Sequence, residues 1–297
     1  MIRGTDGAHN ALQEVTSADD RISTASHQPY GAAKTVPAPS PDAWVSRSKP
    51  RPQARARLFC FPHAGAGASA YRLWPNGLPA DLEVCAIQLP GRESRLREAS
   101  LDSIPELVHA LIPALEPHLD LPFAFFGHSL GAVIASEVAR TLEQRGGPSP
   151  AHLVVSARRP PHLPDPRPPL HRLSDEHFAT EINRRYGGIP EELLQYPDVM
   201  AVLLPSLRAD ITALETHVPS PRAPMRIPIS AFGGAHDGLT PREHLEAWRS
   251  ETVADFRIRS FAGDHFYLKP QLAEVLADLA VTLAPMLAAP RSAECVQ

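Results

Sequence analysis

The stretch "FAFFGHSLGAVIASEVAR", residues 123–140, sets an apolar run, a G-x-S-x-G and a run of small and apolar helix formers end to end. Such an order specifies a strand that turns sharply into a helix, with Ser129 at the turn. Serine is also a favoured helix N-cap, so spacing alone does not assign it a reaction. Two features separate the readings. Gly127 and Gly131 flank the serine, so backbone can approach it closely on both sides. The turn also leaves Ser129 at a helix N-terminus, where unpaired N–H groups and the helix dipole favour a developing negative charge. Ser129 is therefore read as a nucleophile, and the backbone N–H of Leu130 as an oxyanion donor.

The rest of the chain supplies a sheet for that turn. "RLFCF", "LEVCAIQL", "PFAFFG", "HLVVSA", "IPISAFGG" and "FRIRSF" read as strands, several of them apolar on both faces. Between them, "SIPELVHALIPALEPHL", "AVIASEVARTLEQRG", "REHLEAWRS" and "QLAEVLADLAVTLAPML" carry helical spacing. The alternation predicts βαβ units and an α/β fold, a mostly parallel sheet covered by helices on both faces. One block breaks the rhythm. Residues 160–170 contain six prolines, and helix-like stretches follow with no strand before Met225. This insertion, about 162–222, is expected to form a helical lid over the active-site edge.

A serine nucleophile needs a base, and the base needs an orienting acid. In strand–serine–helix architectures these follow in the order Ser, Asp or Glu, His. Asp237 lies in a Gly-rich loop after the strand "IPISAF", and His265 lies after "FRIRSF" and a Gly turn. Both fall outside carboxyl ends of strands, where ligands gather in open α/β sheets. His236, His152, His244 and His128 are set aside by order, strand end or local packing, and Asp264 is the rival acid. A second oxyanion donor is expected in the loop "FPHAGAGASAY", with Ala64 preferred over His63.

Bulk properties narrow the partners. The 297 residues carry 29 basic and 33 acidic side chains, net −4, with no basic stripe for nucleic acid and no membrane-length apolar run. The first residues lack a signal-peptide core, so a cytoplasmic protein is expected. Three cysteines show no metal or redox spacing, and Cys60 and Cys85 are expected in the core. Residues 1–52 lack apolar periodicity and are expected to form a disordered N-terminal extension. The folded domain is then 53–290, and 291–297 a flexible tail.

Taken together, "CFPHAGAGASAY", "IQLPGRESR", "FGHSLGA", "SARRPP", "FGGAHDGLTP" and "FAGDHFYL" resemble the type II thioesterases of polyketide and non-ribosomal peptide biosynthesis, over about residues 57–285. The loop departs from the paired glycines common in that family. The resemblance implies an α/β-hydrolase fold with a helical lid, a Ser129–Asp237–His265 triad and Ala64 as second oxyanion donor. It also implies an acyl substrate held as a thioester on an acyl or peptidyl carrier protein. No metal or cofactor is expected, since the phosphopantetheine arm arrives with the substrate. A general esterase or lipase, or an acyltransferase, would share the elbow and triad; a non-catalytic binding module would need none of them.

Overall fold

The computed structural model describes residues 41–187, 189 and 191–288. The strands are β1 (Val45–Ser46), β2 (Ala56–Phe61), β3 (Leu82–Ile87), β4 (Phe123–His128), β5 (His152–Ser156), β6 (Ile229–Gly234) and β7 (Phe256–Phe261). The α-helices are α1 (Pro41–Trp44), α2 (Ile104–Leu115), α3 (Leu130–Gln144), α4 (Asp175–Tyr186), α5 (Glu191–Leu194), α6 (Pro197–Thr216), α7 (Arg242–Glu246) and α8 (Leu272–Ala288). All seven strands join one sheet in the order β1-β3-β2-β4-β5-β6-β7, parallel except for β1. This is the mostly parallel sheet that the alternating pattern predicts, and it agrees with the α/β-hydrolase fold that the resemblance implies. The order reverses between β2 and β4, and such a switch point opens a crevice beyond the strand ends.

Two cores cover the sheet, and the two-residue side-chain period assigns strand residues to them. Phe59, Phe61, Phe125, Leu153 and Val155 face α2 and α3, whose Leu107, Leu111, Val133 and Val138 are buried. The intervening Leu58, Cys60, Ala124, Phe126 and Val154 face Tyr71, Trp74 and α8. Cys60 and Cys85 are buried free thiols, and burial pushes the Cys85 thiol up to about 12. Between β5 and β6 the proline-rich segment leads into α4, α5 and α6. These hold a third cluster of Leu170, Phe178, Ile182, Leu207 and Ile211, against which Ala64 packs.

The expected boundary at residue 52 needs correction. Val45 and Ser46 pair with Ile87 and Ala86, and the Trp44 carbonyl accepts the Gln88 N–H at 2.9 Å. Trp44 is buried in the core with the Arg95 guanidinium 3.9 Å above its ring. Arg47 and the Arg51 N–H both bond the Glu83 carboxylate, at 3.1 and 2.9 Å. Order therefore begins by Pro41. A single tryptophan beside a two-residue strand has no periodicity, so its docking is invisible in the sequence. The expectations for residues 1–40 and 289–297 lie outside the described residues.

Two measurements check this account. Trp44→Ala should cost about 3 kcal/mol and lower the melting temperature by roughly 6–12 °C; an unchanged melting curve would return this segment to the tail. His152 opens β5 and bonds Ser230 Oγ at 2.8 Å, and burial, then the Arg257 charge, pulls its pKa from 6.5 to about 4. The unfolded histidine is protonated first as pH falls, so its contribution is complete above 6.5 and is lost between 6.5 and about 4. His152→Gln should therefore flatten the fall of melting temperature between pH 7 and 5. Parallel curves would refute the linkage.

Candidate active site

The elbow is built as the sequence implies. Ser129 sits between β4 and α3 at φ 54°, a conformation that L-residues rarely adopt. Its N–H donates to the Ser156 carbonyl of β5 at 2.8 Å, which fixes the turn against the neighbouring strand. The glycines serve close approach. A Cβ on Gly131 would lie 2.0 Å from the Phe61 carbonyl oxygen, and one on Gly127 would lie 2.2 Å from the Gly131 oxygen. Leu130 opens α3, where an N–H has no carbonyl in a preceding turn to bond.

Asp237 and His265 arrive on two loops that are zipped together. Ala235 N–H donates to the Phe261 carbonyl at 2.7 Å and His236 N–H to the Gly263 carbonyl at 2.8 Å. His265 Nδ1 then lies 2.9 Å from Asp237 Oδ2, and its Nε2 lies 3.2 Å from Ser129 Oγ. All three side chains are buried. Burial favours the neutral Asp237 acid, but hydrogen bonds from His265 and from the Leu239 and Thr240 N–H groups outweigh it and lower its pKa. The rival Asp264 is exposed and accepts the Phe266 N–H at 2.9 Å, a local turn contact. His236 is exposed as well.

Two further histidine rings surround His265. His128 bonds Ser156 Oγ through Nδ1 at 2.8 Å, and Ser156 Oγ in turn lies 2.7 Å from Tyr267 Oη. His63 stands edge-on to both His128 and Phe266. Burial, then the His265 charge, lowers His63 to about 4 and His128 well below 6.5. Both rings are therefore neutral near pH 7, and neither adds charge beside His265.

Ser129, His265, His63 and Ala64 line one end of a ≈ 220 Å³ cavity. Its remaining wall is mostly aliphatic, supplied largely by Leu203, Leu207, Ile211 and Leu214 along one face of α6, with Tyr186 and Phe266 completing it. The loop carrying Ala64 is held from behind by side chains that sequence reasoning missed. Asp210 on α6 is fully buried and accepts the Gly65 N–H at 2.7 Å. Arg92 grips Asp210 through both terminal nitrogens, the Nη2–Oδ1 bond measuring 2.9 Å. Gln88 accepts the Ala68 N–H at 2.9 Å and donates to the Arg92 carbonyl. A carboxylate among Leu207, Ile211 and Leu214 on one helix face was the available signal for Asp210.

Among the described residues, no group of three or more His, Cys, Asp or Glu could hold a metal, and no helix is long and apolar enough to cross a membrane.

Comparison with known proteins agrees with this geometry. The thioesterase domain model matches residues 56–281. Gramicidin S biosynthesis protein GrsT of Aneurinibacillus migulanus is 40% identical over 224 residues, spanning 74% of this chain and 87% of that protein. Thioesterase PikA5 of Streptomyces venezuelae is 40% identical, spanning 75% of this chain and 79% of its own. The structure of the type II thioesterase BorB from the borrelidin biosynthetic cluster superposes with a TM-score of 0.73 at 34% identity, covering 82% of this chain and 97% of that one. With a buried Ser–His–Asp hydrogen-bonded chain at the mouth of an aliphatic cavity, these likenesses show that the chain belongs to the thioesterase domain family, as a type II thioesterase of the α/β-hydrolase fold.

Proposed function

We propose that this thioesterase removes acyl groups from the phosphopantetheine arm of an acyl or peptidyl carrier protein, clearing stalled or misprimed units of a polyketide or non-ribosomal peptide synthase in the cytoplasm. The observation that carries the reading is the hydrogen-bonded chain Asp237–His265–Ser129 opening onto a cavity walled by aliphatic side chains. Such a wall accepts an uncharged acyl chain and supplies almost no hydrogen bonds to it. A relative named for gramicidin S biosynthesis and a structural neighbour named for the borrelidin biosynthetic cluster support this reading.

The chemistry follows from the atoms. His265 Nε2 takes the Ser129 proton while Oγ attacks the thioester carbonyl, and Asp237 holds the imidazole tautomer that can accept it. The Leu130 and Ala64 N–H groups receive the developing oxyanion. The tetrahedral intermediate collapses, and His265 returns its proton to the departing thiolate. Water, deprotonated by the same His265, then attacks the acyl-enzyme carbonyl, and His265 passes that proton to the departing Ser129 Oγ as the carboxylic acid is released. Helices α4–α6 act as the lid, with α6 presenting the acyl-binding face.

Ser129→Ala and His265→Ala should each lower kcat/KM at least ~10³-fold while the melting temperature stays within a few degrees. Asp237→Asn should lose roughly 10²–10⁴-fold, whereas Asp264→Asn stays near wild type; the reverse order would assign the wrong acid. A carrier-bound short acyl group should be hydrolysed at least ~10-fold more efficiently than the same acyl group on a small thiol. Equal rates would favour a general esterase.

Asp210→Asn tests the loop. It should lower kcat roughly 10–100-fold with KM little changed, because it loosens the Gly65 anchor beside Ala64 without altering the acyl wall. A matching rise in KM alone would make Asp210 part of acyl binding instead.

A further inference from the structure

The motif "SARRPP" and the prolines behind it take no part in the hydrogen-bonded chain, yet they build a second cavity beside it. This cavity, ≈ 330 Å³, is lined by Arg158, Pro160, Pro161, Arg167, Tyr186 and Leu214 among others. Tyr186 and Leu214 also line the acyl cavity, and the Tyr186 ring stands 5.8 Å from that of His265. The two chambers therefore share Tyr186 and Leu214 as a wall, and Tyr186 stands beside His265. Arg158 enters from the end of β5. His128 pairs with Ser156, and strands lie ~4.8 Å apart, so Arg158 begins within roughly 10 Å of Ser129. Ala157 at φ 50° turns the chain there, and the Trp248 indole N–H fixes the Arg158 carbonyl at 2.7 Å.

The guanidinium of Arg158 has no hydrogen-bond or ion-pair partner among the described residues, and its Nε is buried. Burial lowers its pKa to about 10. The nearby carboxylates are already engaged. Asp165 accepts the Arg167 N–H and Nε on one oxygen, and Arg167 Nη2 and Arg159 Nη2 on the other, at 2.6–3.1 Å. Glu215 accepts the Leu170 and His171 N–H groups and His171 Nδ1, within 3.0 Å. The proline wall offers no N–H groups of its own. What remains is a half-buried guanidinium whose buried Nε has no partner, set beside the chamber, and such a fork is suited to pairing with an oxyanion.

We propose that Arg158 and its cavity bind an oxyanion carried by the thioester substrate, either the phosphate of the pantetheine arm or a carboxylate on the acyl group. The chemistry is shared: a guanidinium fork pairs with two oxygens of either group. Bound there, a phosphate would hold the thioester against Ser129 from the side of the arm, and an acyl carboxylate would hold it from the far end of the acyl chain.

This proposal rests on the thioesterase reading, and the test separates the two. Hydrolysis of hexanoyl pantetheine, hexanoyl 4′-phosphopantetheine and adipoyl pantetheine is compared for the wild type, Arg158→Gln and Arg158→Lys. In the wild type, one anionic member should show a KM at least tenfold below that of hexanoyl pantetheine. An advantage for the phosphorylated arm identifies the phosphate, and one for adipoyl identifies the acyl carboxylate. Arg158→Gln should abolish that advantage and Arg158→Lys should retain part of it. Equal KM for all three substrates in the wild type, which requires no variant to fold, overturns the anion site, as does an advantage that survives Arg158→Gln. A wild type inert on all three removes the thioesterase reading with it.

Discussion

One close approach of backbone to backbone governs much of what surrounds it. Helix α3 meets the end of β2 where Gly131 faces the Phe61 carbonyl, and no side chain would fit between them. That contact lets α3 begin directly over the switch point of the sheet. Ser129 is then driven into a strained turn, with its N–H tied to β5 and its hydroxyl pointing outward past the strand ends. The strain is local and the surrounding bonds over-determine it, which is how such a conformation persists. Moving α3 outward by the width of a methyl group would relax the turn and carry Ser129 away from His265.

What the sequence made legible, and what it hid, divides along contact range. Ser129, Asp237 and His265 each follow a strand at its carboxyl end, and their order along the chain matches a known constellation; local pattern was enough to nominate them. Ala64 was nominated because a strand of apolar residues runs into a loop of small ones. Asp210 and Arg92 were missed because each has meaning only through the other, and 118 positions separate them. Trp44 was missed for a different reason. Its burial depends on a two-residue edge strand pairing with β3, and so short an element has no period to detect.

The site divides its work between a rigid floor and an inserted roof. Strand ends and the zipped β6 and β7 loops set the positions of the reacting atoms, with each loop hydrogen-bonded to the other. The insertion supplies the aliphatic wall, the proline-lined second chamber and the carboxylate that holds the Gly65 N–H. Neutral His63 and His128 fill the space around His265 without adding charge there. Charge in this region is thus concentrated on a few groups, while shape is delegated to hydrocarbon.

The double attachment of α6 has a consequence for redesigning what the enzyme accepts. The helix lines the cavity beside Ser129 through Leu203, Leu207, Ile211 and Leu214, and from the same turns it anchors the loop beside Ala64 through Asp210. A larger chamber made by shifting the helix axis would drag the Ala64 loop along, so on the proposed mechanism selectivity gained that way would be lost in turnover. Trimming side chains while the axis stays in place leaves the anchor untouched. Variation in chain length among descendants of this scaffold should therefore be written in the sizes of those four residues, with the aspartate between them held constant.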